Sequence, residues 1–384
     1  MSSQSFADLG VSRPVAGALA RRGITAPFAI QRLVVADVLA GRDVLAKSPT
    51  GSGKTLAFGI PMVDRLDADG PKQAALVLAP TRELASQIAK EIEAIARTRK
   101  LDVAAVYGGA GIDRQAKLVR RAHVIVATPG RLEDLIARGA VNLRDVRMLV
   151  LDEADRMLDM GFRPVVDRIV AQTPRTRQTL FFSATLDGEV GRLARAYTTH
   201  ARRHEHAPAP RRRRDIEHRF VAVSHEAKRD HLVEVLGHED ARRTLVFVRT
   251  KRGADRLVKR LKACSVEAAA MHGNKSQSQR EKALARFHTG SCRVLVATDV
   301  AARGLDVDGI THIVNFDAPE DRESYVHRAG RTGRAGRTGV SITFVMADQA
   351  AKMSRLAGEL SLQREFARGC PPGVQASAGP RAER

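Results

Sequence analysis

The sequence predicts an α/β protein of two domains in tandem, each a mostly parallel sheet flanked by helices. Three observations lead there. Short apolar, β-rich runs alternate with stretches of helical periodicity through most of the 384 residues, the pattern of strand–helix–strand crossovers that builds a parallel sheet. One crossover opens on Ser48-Pro49-Thr50-Gly51-Ser52-Gly53-Lys54-Thr55, a glycine-rich turn between a short apolar run and a helical stretch. The alternation stops once, over residues 198–214, and then resumes.

Taken in order, residues 1–42 read as helical with turns at Gly10, Gly23 and Pro27, and end in a helix over 31–40. Strands are expected at 44–46, 75–79, 104–107, 124–127, 148–151 and 179–182, with helices at 56–66, 84–96, 131–137 and 163–171 among them. A second series has strands at 220–223, 245–248, 266–271, 294–297, 312–315 and 341–345. Between the two series Pro208, Pro210 and the run Arg211 to Arg214 carry no apolar periodicity. Prolines with like charges favour an extended, solvated chain. The expected organisation is therefore a first domain over 1–200, a basic linker over 201–215, a second domain over 216–365, and a short disordered tail over 366–384.

Composition narrows the function. Lys and Arg number 64 against 43 Asp and Glu, a formal charge of +21, far more than solubility needs. Such an excess points to a polyanionic partner, because neutralising phosphates releases counterions. With no Trp and 4% aromatic residues, base reading by stacking is disfavoured, and the nucleic-acid backbone is the expected target. No run of 18 apolar residues suggests a membrane span. Neither a signal peptide at the N-terminus nor a disulfide or zinc framework from Cys264, Cys292 and Cys370 is expected, which points to a cytoplasmic protein with reduced thiols.

The turn at 48–55 has the chemistry of a phosphate-binding loop. Glycines let backbone N–H groups close around phosphate oxygens, the helix N-terminus and Lys54 add positive charge, and the Thr55 hydroxyl suits Mg²⁺. Leu149-Val150-Leu151-Asp152-Glu153-Ala154-Asp155 sets acids at the carboxyl end of an apolar strand, the end that faces the ligand crevice of an open parallel sheet. One carboxylate there can hold Mg²⁺ through water while the next orients an attacking water. Tyr325-Val326-His327-Arg328-Ala329-Gly330-Arg331-Thr332-Gly333-Arg334 supplies arginines at helical spacing. Guanidinium groups match phosphate oxygens bidentately, so phosphoryl chemistry that needs these arginines depends on closure of the two domains.

Together these segments, over residues 6–345, resemble a DEAD-box ATP-dependent RNA helicase of superfamily 2, with a run at 155–162 most like the bacterial RhlE-type members. The resemblance implies two RecA-like domains, ATP and Mg²⁺ as cofactors, and RNA as partner. It implies catalytic roles for Lys54, Asp152, Glu153, Arg331 and Arg334, and Mg²⁺ held by Thr55 and Asp152, mostly through water. Gly23-Ile24-Thr25-Ala26-Pro27-Phe28-Ala29-Ile30-Gln31 resembles the family's Q motif. By that likeness Gln31 reads adenine and Phe6 stacks on it, while Thr50, Gly51, Ser52, Gly53, Gly304 and Asp306 complete the nucleotide contacts.

The same resemblance places Arg82, Gly109, Thr128, Gly130, Arg131, Thr250, Arg280 and Thr298 on RNA. It assigns Asp155, Ser183, Thr185 and His327 to coupling between domains, the hydroxyls of Ser183 and Thr185 bonding the acidic motif. Two residues depart from the family pattern. Ser48 stands where Ala is usual, bringing a hydroxyl that needs a partner, and Phe28 stands where Thr is common. The implied activity is ATP-driven local unwinding of short RNA duplexes by a monomer with little sequence specificity. An ATP-gated RNA clamp is the alternative, and a ribosomal precursor, a messenger or an RNA-decay substrate all fit as the natural RNA.

Overall fold

In the computed structural model the described residues are 4–49, 51–206, 216–238, 240–302, 307, 309–333 and 338–370. The chain divides into two compact units, residues 1–210 and 211–384.

The first unit runs α1 (Arg13–Arg21), α2 (Ala29–Leu39), β1 (Val44–Lys47), α3 (Lys54–Arg65), β2 (Ala75–Leu78), α4 (Arg82–Ala96), β3 (Val103–Val106), α5 (Ile112–Val119), β4 (Val124–Ala127), α6 (Pro129–Ala137), β5 (Met148–Leu151), α7 (Ala154–Asp159), α8 (Arg163–Ala171), β6 (Gln178–Ser183), α9 (Gly188–Tyr197) and β7 (Arg202–Glu205). Its sheet has the order β3-β4-β2-β5-β6-β1-β7, and every pairing is parallel. Alternate residues of each strand enter opposite cores, since successive side chains point to opposite faces. Ala75 and Val77 of β2 pack with Val34, Phe58 and Ile88 under α2, α3 and α4, while Leu76 and Leu78 pack with Leu132, Leu135 and Ile169 under α6 and α8. Strands covered on both sides read as unbroken apolar runs. This is why β2, β4 and β5 were legible.

The second unit runs β8 (Ile216–Ala222), α10 (Lys228–Gly237), β9 (Thr244–Phe247), α11 (Lys251–Ala263), β10 (Ala268–Met271), α12 (Gln277–Thr289), β11 (Val294–Ala297), α13 (Asp299–Ala302), β12 (His312–Asn315), α14 (Arg322–Ala329), β13 (Gly339–Val345), α15 (Ala350–Glu359) and α16 (Gln363–Gly369). Its sheet, also parallel throughout, has the order β10-β11-β9-β12-β13-β8. Both units thus have the doubly flanked parallel sheet that the sequence predicts.

Two boundaries differ from expectation. Arg202–Glu205, expected to open the linker, is the edge strand β7, paired in register with Val44–Lys47 of β1. Its side chains are mostly exposed, as an edge strand allows, so its polar sequence gave no strand signal. The expected tail begins too early, because α16 continues to Gly369 and buries Phe366 and Cys370 against Phe220. Gly369 makes that approach feasible: a Cβ there would lie 1.5 Å from the Phe220 carbonyl oxygen. The remainder of the expected linker, 207–215, and of the tail, 371–384, lies outside the described residues.

Candidate nucleotide and RNA site

The loop after β1 carries the first cluster. Gly51 and Gly53 have φ of +77° and +88°, a left-handed conformation that a Cβ would strain. Ser48 is 1% exposed, and its N–H donates to the Ser183 carbonyl at 2.9 Å, tying the loop to β6. Its hydroxyl lies 2.6 Å from that of Ser52, which in turn donates to the Pro49 carbonyl at 2.9 Å. A hydroxyl has one proton to give, so Ser48 is the donor to Ser52. The unusual hydroxyl therefore has its partner inside the loop. Lys54 is buried, its Nζ donating to the Ser48 carbonyl at 3.3 Å and lying 3.8 Å from Asp152 Oδ1. Thr55 follows on the first turn of α3, half-buried. Thr50 lies outside the described residues.

The acids follow β5, two strands from β1 in the sheet. Asp152 and Glu153 are 2% and 3% exposed. Burial pushes the Asp152 carboxyl up to about 6; Lys54 opposes the shift, and the neighbouring Glu153 carboxylate adds to it. Glu153 sits at φ +51°, an uncommon conformation for a residue with a side chain and one that recurs at functional sites. Its N–H donates to Asp152 Oδ1 at 3.0 Å. Its carboxylate Oε2 accepts from Arg156 Nη1 at 2.6 Å. Arg156 was not singled out in the sequence, although its i,i+3 spacing from Glu153 was visible there.

Asp155 meets the segment after β6 as expected, by another route. Its Oδ2 accepts from the backbone N–H of Ala184 at 3.0 Å, whereas the Ser183 hydroxyl accepts from the Thr185 N–H at 3.3 Å. The expected bond from the Ser183 and Thr185 hydroxyls to the acids is thus replaced by a main-chain bond. A donor fixed in the backbone suits this better than a hydroxyl already engaged locally.

Gln31 is 1% exposed and bridges the start of α2 to the loop. Its Oε1 accepts from the Phe28 N–H at 2.8 Å and its Nε2 donates to the Gly53 carbonyl at 3.0 Å. Phe6, expected to stack on adenine, is 3% exposed in the core with Leu9, Val11 and Val15, and no open face remains for stacking. Apolar packing of the N-terminal turn has taken the ring instead.

A second cluster occupies the other half of the same carboxyl edge, after β2, β3 and β4. Arg82 opens α4, and its guanidinium lies over Gly108 and Gly109; a Cβ on Gly109 would fall 2.2 Å from Arg82 Nη1. Arg131 of α6 donates to the Ala110 carbonyl at 2.9 Å and to Gln115 Oε1 at 3.2 Å. Thr128 stands at the N-cap position of α6 without a side-chain cap bond, and nothing lies within 4 Å of where a Gly130 Cβ would stand. Loops bearing two arginines, an open glycine and helix N-termini suit sugar-phosphate contacts.

In the second unit, Thr250 caps α11 by accepting the Gly253 N–H, and is exposed after β9. Thr298 lies after β11, 8% exposed. Arg280, expected on RNA, is 7% exposed and shares the inward face of α12 with Gln277, Ala283 and Phe287. The helical period turns it to the core. Arg331 is also buried, at 4% exposure, and lines a small cavity with Asp299, His327 and Arg328. His327 Nε2 is 3.9 Å from Glu323 Oε1. Gly304, Asp306 and Arg334 lie outside the described residues.

Mg²⁺ fits this donor set. Asp152 is a buried carboxylate whose charge is disfavoured by desolvation, and carboxylate and hydroxyl oxygens are the ligand types that the ion takes.

Residues 28–193 match the family model described as DEAD/DEAH box helicase, and residues 227–336 match the helicase conserved C-terminal domain. The chain is 40% identical over 369 residues to the DEAD-box ATP-dependent RNA helicase CshA of Geobacillus kaustophilus, spanning 96% of this chain and 79% of that protein. It is likewise 40% identical to CshA of Bacillus subtilis, over 89% of this chain and 69% of the relative. Among solved structures, S. cerevisiae Dbp5 bound to RNA and ADP BeF3 aligns with TM-score 0.81 at 28% identity, over 95% of this chain and 99% of that one. A DEAD box protein from Methanococcus jannaschii aligns with TM-score 0.53 at 36% identity, over 93% of this chain and 97% of that one. The chain belongs to the DEAD-box ATP-dependent RNA helicases.

Proposed function

We propose that the protein binds single-stranded RNA and short RNA duplexes with little sequence specificity and separates base pairs locally as it hydrolyses ATP. The observation that carries this is the layout of one sheet edge. The loop with Arg82 follows β2, and the acid pair Asp152-Glu153 follows β5, the strand hydrogen-bonded beside it. Residues suited to RNA backbone and residues suited to a nucleotide are thereby neighbours on one rigid element.

In this reading the loop at 48–55 binds the phosphates through its N–H groups, and Lys54 leaves its contacts with Ser48 and Asp152 to meet them. Gln31 favours adenine through its second amide hydrogen and second lone pair. Asp152 and Thr55 are the residues that hold Mg²⁺, which supplies charge neutralisation on the phosphates. Glu153 orients the attacking water. Arg331 and Arg334 stabilise the departing γ-phosphoryl group once the two units close on ATP. Asp155, through Ala184, relays that state to the segment at 183–185. The protein acts as a monomer in the cytoplasm, within the RhlE-type subgroup, on precursor, messenger or decaying RNA.

Steady-state ATP hydrolysis with and without single-stranded RNA tests this. Stimulation by RNA, and less by DNA of equal sequence, is the expected result. Equal stimulation by both would contradict the RNA preference.

A further inference from the structure

We propose that the amino edge of the first sheet carries a second anchor for RNA, a cleft in which Arg65, Arg144, Arg147 and Arg177 take backbone phosphates of strands longer than the carboxyl edge can hold. The proposal rests on the RNA-binding reading above. The cleft has a volume of about 530 Å³, and the acids that line it are Asp43 and Asp145. It lies where β1, β5 and β6, neighbours in the sheet, begin. β1 is four residues long and β6 six. At about 3.3 Å per residue the two edges of the sheet stand roughly 13–20 Å apart.

The arginines there are short of acid. Asp43 is buried, and its two oxygens accept from the Thr179 N–H at 2.7 Å and the Thr199 N–H at 2.6 Å, so main-chain donors hold that carboxylate. Arg177 donates to the Pro174 and Tyr197 carbonyls at 3.0 and 3.3 Å, while its Nε is buried with no hydrogen-bond partner among the described residues. Arg65 donates to the Val38 carbonyl at 3.1 Å and to Gln178 Oε1. Burial disfavours the charge on both guanidinium groups, and a desolvated cation with no counter-ion in contact costs stability. Arg144 and Arg147 are exposed, and among the described residues no ion pair joins any of the four to an acid. Guanidinium groups match phosphate oxygens bidentately. A protein partner anchors through apolar or aromatic side chains seated in pockets, for which the described lining offers only Val146 and Pro174. A phosphate backbone needs charge alone.

The test compares single-stranded RNA of about 10 nucleotides, within the footprint of one site, with an RNA several times longer. Fluorescence anisotropy across a salt series reads binding to the full chain, unsubstituted and as Arg144→Gln/Arg147→Gln. The double variant should bind the long RNA about tenfold more weakly, with a salt slope smaller by about 1.4, the share of two phosphates on a single strand. It should bind the short RNA unchanged. Arg144→Lys/Arg147→Lys should keep the slope. Unchanged binding of the long RNA, or equal loss on both lengths, would overturn the proposal. So would polyglutamate that loses as much affinity as the long RNA does in the double variant, which would mark the cleft as a site for acidic peptides. ATP hydrolysis stimulated by the short RNA, measured alongside, keeps failure of this anchor distinct from failure of the helicase reading.

Discussion

Arg156 Nη1 lies 2.6 Å from Glu153 Oε2, one helical turn apart with both side chains buried. An arginine on one carboxylate oxygen fixes where the other points, so the residue proposed to orient water is itself oriented by a neighbour. Arg156→Gln should lower RNA-stimulated kcat by up to about 100-fold, the scale of a misplaced catalytic group, with KM for ATP little changed. Leaving Glu153 buried without its partner should also cost about 3–5 kcal/mol of stability. Arg156→Lys should recover stability more than rate. Steady-state kinetics and urea unfolding of the two variants separate these effects.

A similar clamp organises the second unit. Arg328 Nε and Nη2 each lie 2.6 Å from an Asp299 carboxylate oxygen, and Nη1 donates to Asn315 Oδ1 and the Asp317 carbonyl. Its guanidinium also stands 4.9 Å from the centroid of the Phe247 ring. Arg328 is buried while Asp299 is about a third exposed, so Arg328→Gln should destabilise by about 1.5–3 kcal/mol, the scale of hydrogen bonds to charged groups, seen in urea unfolding of the full chain. A loss under 1 kcal/mol, the level of a surface pair, would contradict the role of the clamp.

Ser48 carries the smallest expected effect. Removing its hydroxyl takes away one hydrogen bond within the loop, while Ser52 keeps its bond to Pro49. Ser48→Ala should cost about 0.5–1.5 kcal/mol and leave the KM for ATP within twofold of its starting value. A larger rise in KM would show that the hydroxyl pair shapes the phosphate cradle.

The sequence showed the fold wherever its strands are fully covered, because continuous apolar runs between helical patterns admit few other readings. It failed at β7, whose exposed polar residues pair only by backbone, and at α16, whose buried Phe366 stands alone in a polar stretch. For the site, the turn and the strand end that carry the loop glycines and the acids were legible, because the main chain fixes them. Residues whose direction depends on packing were not. Arg280 follows the inward face of its helix, Phe6 turns into the core, and Arg156 acts through a contact that only the folded turn creates.

RNA affinity should depend on Arg82 and Arg131 through charge rather than sequence. Arg82→Gln and Arg131→Gln should each weaken binding evenly across RNA sequences and reduce the salt slope by about 1. Fluorescence anisotropy across a salt series reads this, and an unchanged slope would place these side chains off the RNA.

Acid should loosen the second unit. Burial lowers the pKa of His218 and of His312, with Glu365 opposing the first shift and Arg219 adding to the second. A histidine kept neutral when folded stabilises fully above its unfolded pKa, and that stability is lost as pH falls through about 6.5 and below. Asp152 in the first unit has the opposite sign: its folded pKa is raised to about 6, so it gains stability on acidification toward pH 4. The two effects separate in local hydrogen exchange. Protection of β8 and α14, where His218 Nδ1 meets the Tyr325 hydroxyl at 2.7 Å, should fall between pH 7.5 and 5.5, and His218→Gln should flatten the change.

The most direct measurement is ATP hydrolysis and displacement of a short RNA duplex, compared between the unsubstituted protein and Glu153→Gln. RNA should accelerate hydrolysis, and catalytic amounts of protein should release the strand. Glu153→Gln should retain ATP-dependent RNA binding while losing hydrolysis and turnover. Hydrolysis indifferent to RNA in correctly folded protein, or strand release by both proteins only at stoichiometric amounts, would contradict the coupling of ATP hydrolysis to unwinding.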